Sequence, residues 1–154
     1  MGLLDRWRSR DAVPDTPEPG ELDVDPVEEV RTRPLDGDEE ARLEAYRLRY
    51  PAHRIDPADL GSIAAAWATA LERAEQDVGA EVVTVVSTAI GDHLVGHGYR
   101  WVVSTDPYGT DLAVEPPRRG VPVVVRTLVA VRWMARQPSW VESVVGHLVA
   151  SARR

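Results

Sequence analysis

The chain has 154 residues and a formal net charge of −7, with 44% hydrophobic and 28% charged residues, proportions that suit one globular domain and exclude both a membrane-embedded protein and a chain disordered throughout. Cysteine is absent, which removes disulfide scaffolds, thiol catalysis and cysteine-based metal centres. All 18 basic residues are arginine, phenylalanine is missing, and five tryptophans supply the large aromatic volume; each one that is buried needs an acceptor for its indole N–H.

The first ten residues, MGLLDRWRSR, put Leu3, Leu4 and Trp7 on one helical stripe among Arg6, Arg8 and Arg10, a short anchor for a membrane surface or a partner. No apolar run of secretory length follows the arginines and no stretch is long enough to span a bilayer, so the expected location is the cytoplasm. Residues 1–40 hold 13 acids and five arginines, while 41–154 hold 12 acids and 13 arginines. The acidity therefore belongs to the leader, and the near-neutral body carries no nucleic-acid signature. Five prolines (Pro14, Pro17, Pro19, Pro26, Pro34) sit beside acids there, so residues 11–35 are expected to be disordered and residues 36–154 to form the folded domain.

Asp36 or Asp38 caps a first predicted helix through Ala41, Leu43, Tyr46 and Tyr50, which stops at Pro51. Asp56-Pro57-Ala58-Asp59 reads as the start of a second, with the stripe Leu60, Ile63, Trp67, Leu71, Ala74 and Val78 turned inward. Between Gly79 and Gly98 the valines suit a strand, but Val82, Val86, Ile90, Leu94 and His97 recur at helical spacing, and Gly98 supplies a left-handed stop. A third helix follows. Tyr99 to Ser104 then reads as a strand, Asp106-Pro107-Tyr108-Gly109 as a turn, Leu112 to Val114 as the return strand, and Val121 to Val125 as an edge strand marked by Pro122. Leu128, Val131 and Met134 or Ala135 resume helical spacing up to Pro138, and Ser139 with Glu142 forms a capping box before Val141, Val144, Val145 and Leu148. The expected class is α+β: three N-terminal and two C-terminal helices packed on a small three-stranded antiparallel meander.

The stretch from Trp101 to Val114, with its Asp-Pro-Tyr-Gly turn, resembles the bacterial family known as domain of unknown function 3806. The helix residues Ala89-Ile90-Gly91-Asp92-His93-Leu94 before it and Val121-Pro122-Val123-Val124-Val125-Arg126 after it extend the resemblance over roughly residues 57–150. It implies an α+β fold; the family carries no established activity, so no catalytic residue transfers.

His93 and His97, four apart on one helix face, can share a metal ion, with Asp92 or a hairpin carboxylate completing the set. The helix lacks the glutamate that a metalloprotease needs after its first histidine, and the alternative reading packs His97 against the core. Asp106 and Asp111 bracket the turn; two carboxylates there can share acid–base work or hold a cation, but the expected role is to accept backbone hydrogen bonds at the turn's start and exit. No Gly-x-Ser-x-Gly elbow and no glycine-rich phosphate loop occurs, so the sequence gives no catalytic residue and no cofactor. Arg118, Arg119, Arg126, Arg132 and Arg136 form an arginine-rich stretch suited to carboxylates, which an acidic protein partner, or the leader itself, can occupy. The expected function is a non-catalytic protein-interaction or regulatory module. The alternatives are a small metal-assisted hydrolase built on His93 and His97, and a peripheral membrane protein anchored by Leu3, Leu4 and Trp7; the edge strand also offers a route to a homodimer.

Overall fold

The computed structural model of the chain describes residues 29–73 and 78–154; the stretch 1–10 with its anchor residues Leu3, Leu4 and Trp7, the leader to residue 28, and Ala74 lie outside the described residues. In chain order the elements are β1 (Arg31–Arg33), α1 (Gly37–Arg47), a single 3-10 turn (Pro51–His53), α2 (Leu60–Arg73), α3 (Gly79–Val95), β2 (Arg100–Asp106), β3 (Gly109–Glu115), α4 (Val125–Met134) and α5 (Val141–Ala152). This is an α+β fold, with three helices before the β2–β3 hairpin and two after it.

The sheet is three-stranded and antiparallel in the order β1-β2-β3, but its third strand is not the expected one. Val121–Val125 contributes a single bridge, Val123 to Val114, with paired N···O distances of 2.9 and 2.8 Å. Pro122 has no N–H to extend that ladder, and Pro116-Pro117 bend the approach. The free edge of β2 instead receives residues from the leader: Thr32 lies opposite Ser104 and Arg33 opposite Val103. The expected disorder over 11–35 therefore fails at Arg31–Arg33, and the sheet begins before residue 36.

Arg33 also ties this strand to the helix that follows. Its guanidinium grips both carboxylate oxygens of Glu39, with Nη1 at 3.0 Å from Oε2. Glu39 simultaneously closes a capping box, accepting from the Asp36 N–H at 2.6 Å while Asp36 Oδ1 accepts from the Glu39 N–H at 2.9 Å. The helix α1 ends three residues before Tyr50, which is buried in the turn beyond it.

Asp56 through Asp59 do not open a helix. They form a turn, in which Asp56 Oδ1 accepts from the Ala58 N–H at 2.9 Å and Asp59 Oδ1 from the Gly61 N–H at 3.0 Å, so α2 starts at Leu60. The Pro57 carbonyl is thereby left outside the helical ladder, free for another donor. Ile63 and Trp67 are fully buried, as the stripe requires, with Ala70 beside them.

The segment with the valines is helical, and its place explains its composition. Val82, Val86, Ile90 and Leu94 are buried, and so are Val83, Val85 and Ala89 on other faces; a helix apolar nearly all round belongs in the middle of a domain. It packs against α1, α2, α4, α5 and the hairpin. Beyond its end Gly98 takes φ +103°, a conformation open chiefly to glycine, and turns the chain into β2. Val102 and Val103, which point to opposite faces of β2, are both buried.

Two C-terminal expectations are corrected. On α4 the buried residues are Val125 and Val129, while Val131 and Met134 are exposed at 52% and 75%; the buried face is rotated by about one position. Ser139 and Glu142 form no capping box, because Trp140 occupies the N-cap with its ring in the core. Trp67 meets Trp133 and Trp140 edge-on, with centroids 5.5 and 5.4 Å apart, a favoured aromatic geometry. Trp67 donates to the Gln137 carbonyl at 2.8 Å. The Trp140 N–H finds no acceptor among the described residues, contrary to expectation, and the Arg132 guanidinium lies over its ring at 4.7 Å.

Candidate functional site

Near the C-terminal end of α3, Gly91 and Asp92 face Trp101 of β2. A Cβ on Gly91 would come within 2.1 Å of the indole ring, so only glycine lets the tryptophan lie against the helix. Asp92 Oδ1 then accepts from the Trp101 N–H at 3.0 Å and from Arg47 Nη2 at 2.7 Å, and Oδ2 accepts from Arg47 Nε and the Tyr50 hydroxyl, both at 2.8 Å. Burial alone would raise the Asp92 pKa, but the hydrogen bonds from Arg47, Trp101 and Tyr50 outweigh it and hold the carboxyl below its ordinary value. Tyr50 is pushed strongly upward by burial and by the Asp92 charge. The carboxylate therefore joins α1, α3 and β2, and its oxygens are already occupied.

His93 follows on the same turn. Its ring is 8% exposed, and Nδ1 lies 2.8 Å from the Pro57 carbonyl released by the late start of α2. A carbonyl can only accept, so Nδ1 carries a proton, and in the neutral ring Nε2 keeps the lone pair. The His97 ring lies 4.8 Å away, centroid to centroid. Its pKa is lowered, first by partial burial and then by the positive charge that His93, when protonated, and Arg153 bring near it, which favours neutral imidazole. Both rings line a groove of about 280 Å3 with Pro57, Ala58, Asp92 and Gly96. The expectation that His97 packs into the core is corrected: it is exposed, and His93 is the buried one.

The carboxylates expected to join the histidines do not. Asp92 lines the groove with both oxygens committed, and six steps along β2 carry Asp106 about 20 Å away from Arg100 at the usual strand rise. Asp106 accepts from the Tyr108 and Gly109 N–H groups at 2.8 and 3.0 Å, and Asp111 from the Leu112 N–H at 2.8 Å. Among the described residues no three His, Asp or Glu side chains gather as a metal site.

The five arginines divide. Arg118 donates to the Arg154 carbonyl, Arg132 to the Leu128 carbonyl and Arg136 to the Leu71 carbonyl. Arg119 is exposed in its loop. Arg126 and Arg42 of α1 both line a cleft of about 40 Å3, together with Tyr46, Thr84, Trp101 and Asp111. Neither guanidinium has a hydrogen-bond or ion-pair partner among the described residues. Arg42 was legible only as an exposed position on α1; nothing in its spacing links it to Arg126, 84 residues on. A depression of about 410 Å3 beside α2 is lined by alanines, valines, Ser62 and Thr69 with His53, Arg54 and Arg73; the Ser62 hydroxyl is spent on the Asp56 and Asp59 carbonyls at 2.9 and 2.7 Å. No helix among the described residues is long and apolar enough to cross a membrane. Comparison with family models, with curated proteins and with solved structures returns no match, so the resemblance to family 3806 rests on the helix and hairpin residues alone.

Proposed function

We propose that the folded body is a non-catalytic protein-interaction module that recognises a carboxylate-bearing segment of a partner protein at the Arg42–Arg126 cleft. The observation that carries this reading is that two arginines, one on α1 and one on α4, neither with a partner among the described residues, line one cleft. Its size supports the same conclusion: about 40 Å3 admits one carboxylate or a water or two, whereas enclosed small-molecule substrates take about 300–1,000 Å3. Arginine presents a planar fork matched to a carboxylate, and Tyr46 and Thr84 add hydroxyls at the rim.

Residues 11–28 contain seven acids and no basic residue, which makes the leader a competitor for the cleft in cis. The test is fluorescence anisotropy of a labelled peptide of residues 11–28 against the chain beginning at Glu29, which retains every buried residue among the described ones. Binding is expected at low salt, weakening as salt rises, and lost in the double variant Arg42→Gln/Arg126→Gln. Binding of equal strength to that variant, or none at low salt, ends the proposal.

A further inference from the structure

We infer that the groove at the end of α3 is a divalent transition-metal site, with His93 Nε2 and His97 as its two protein ligands. The inference is independent of the arginine cleft. Two imidazoles bound to one ion at about 2.1 Å, at angles near tetrahedral, hold their ring centres about 5 Å apart; the rings stand at 4.8 Å without any ion. The pair is thus already at chelating distance.

The inner ligand is also prepared. Metal-bound histidines donate their second ring N–H to a carbonyl or carboxylate, which fixes the tautomer and aims the lone pair. His93 has that partner in the Pro57 carbonyl at 2.8 Å. The partner exists only because the Asp56–Asp59 turn delays α2; a helix starting at Pro57 would spend this carbonyl in its own first turn. His93 is nine-tenths buried and held by its surroundings, whereas His97 is exposed and adjusts to the ion. The groove's 280 Å3 leaves room for the waters or the outside ligand that complete the coordination sphere. The charges reaching it are the Asp92 carboxylate on one wall and Arg153 near His97, of opposite sign.

Two imidazoles without cysteine or a free carboxylate suit copper, nickel or zinc rather than calcium or magnesium, and the general affinity order makes Cu2+ the strongest probe. The experiment titrates untagged full-length protein with Cu2+ at neutral pH, followed by calorimetry and by electron paramagnetic resonance. One ion per chain is expected, with hyperfine structure from two ring nitrogens. Because His97 is exposed, His97→Ala keeps the fold, checked by circular dichroism, and weakens this site at least about tenfold, the lower limit even for loss of an outer partner. His147→Ala, on the exposed side of α5, titrates as wild type. The inference is overturned by the absence of a saturable micromolar site, or by a His97→Ala protein that binds Cu2+ with wild-type affinity.

Discussion

Asp92 accepts four hydrogen bonds on two oxygens, and such a residue has no neutral substitute. In Asp92→Asn the amide turns an N–H2 toward donors that need an acceptor, leaving buried N–H and O–H groups unpaired. The expected loss is about 2–3 kcal/mol, at the lower end of buried ion pairs because Arg47 is about one-third exposed and regains water. Tyr50→Phe removes one donor and should cost about 1 kcal/mol. Urea midpoints at unchanged slope check both. Glu39 gives a pH prediction. Its pKa falls from 4.5 to about 2, first through the Arg33 hydrogen bond and then through the Asp36 N–H. A lowered folded pKa means stability that is present above the unfolded value and lost as pH falls through the folded one. Stability of the wild type should therefore drop between pH 4.5 and 2 more steeply than that of Glu39→Gln. Equal slopes would show that Glu39 is not ion-paired in solution. At this scale the sequence displayed Gly91, Asp92 and Trp101 as a motif but hid their purpose, because Arg47 at the end of α1 and Tyr50 in the turn beyond it lie more than 40 positions from Asp92 and leave no local pattern.

At the scale of elements, the helices were readable wherever burial followed a period of 3.6, as with Ile63, Trp67 and Ala70 of α2, and misread where it did not. Of the expected α4 stripe Leu128, Val131 and Met134 or Ala135, only Leu128 packs on the core, beside the buried Val125 and Val129; with seven apolar residues among its ten, the helix offers the sequence more than one apolar face. The strand β1 was invisible because all three of its residues, Arg-Thr-Arg, are exposed, so hydrophobic alternation cannot mark it. Its importance is nonetheless testable. A chain starting at Asp36 loses the ladder to β2 and the Arg33 grip on Glu39, whereas one starting at Glu29 keeps both. The shorter chain should be less stable by about 1–3 kcal/mol, the worth of a few hydrogen bonds including one charged pair. Gly91→Ala tests the contact between α3 and the hairpin. Alanine favours a helix interior by about 1 kcal/mol, but its Cβ at 2.1 Å from the Trp101 ring forces overpacking that costs about 1–3 kcal/mol or more. The variant should be destabilised, and Trp101→Leu should give part of that loss back in a double-mutant cycle. Strict additivity would mean that the two residues do not touch.

The molecule as a whole separates charge along its sequence. Residues 1–28 hold eight acids and three arginines, and residues 29–154 hold 17 acids and 15 arginines. Among the described residues the near-balanced part carries a buried core from Leu43 to Val149, and the acidic stretch can act on it through charge. If it occupies the Arg42–Arg126 cleft in cis, full-length protein at low salt should be more stable than the chain beginning at Glu29 by about 0.5–1 kcal/mol, the scale of exposed ion pairs. Salt at 1 M cuts the screening length to about 3 Å, which should bring the two unfolding midpoints together. Arg42→Gln/Arg126→Gln should erase the low-salt difference in the full-length chain and leave the shorter chain unchanged. A difference that survives both high salt and the double variant would come from somewhere other than this cleft. Midpoints identical at every salt concentration would mean that the leader never pairs with the body, and the cleft would then have to be filled from outside the chain.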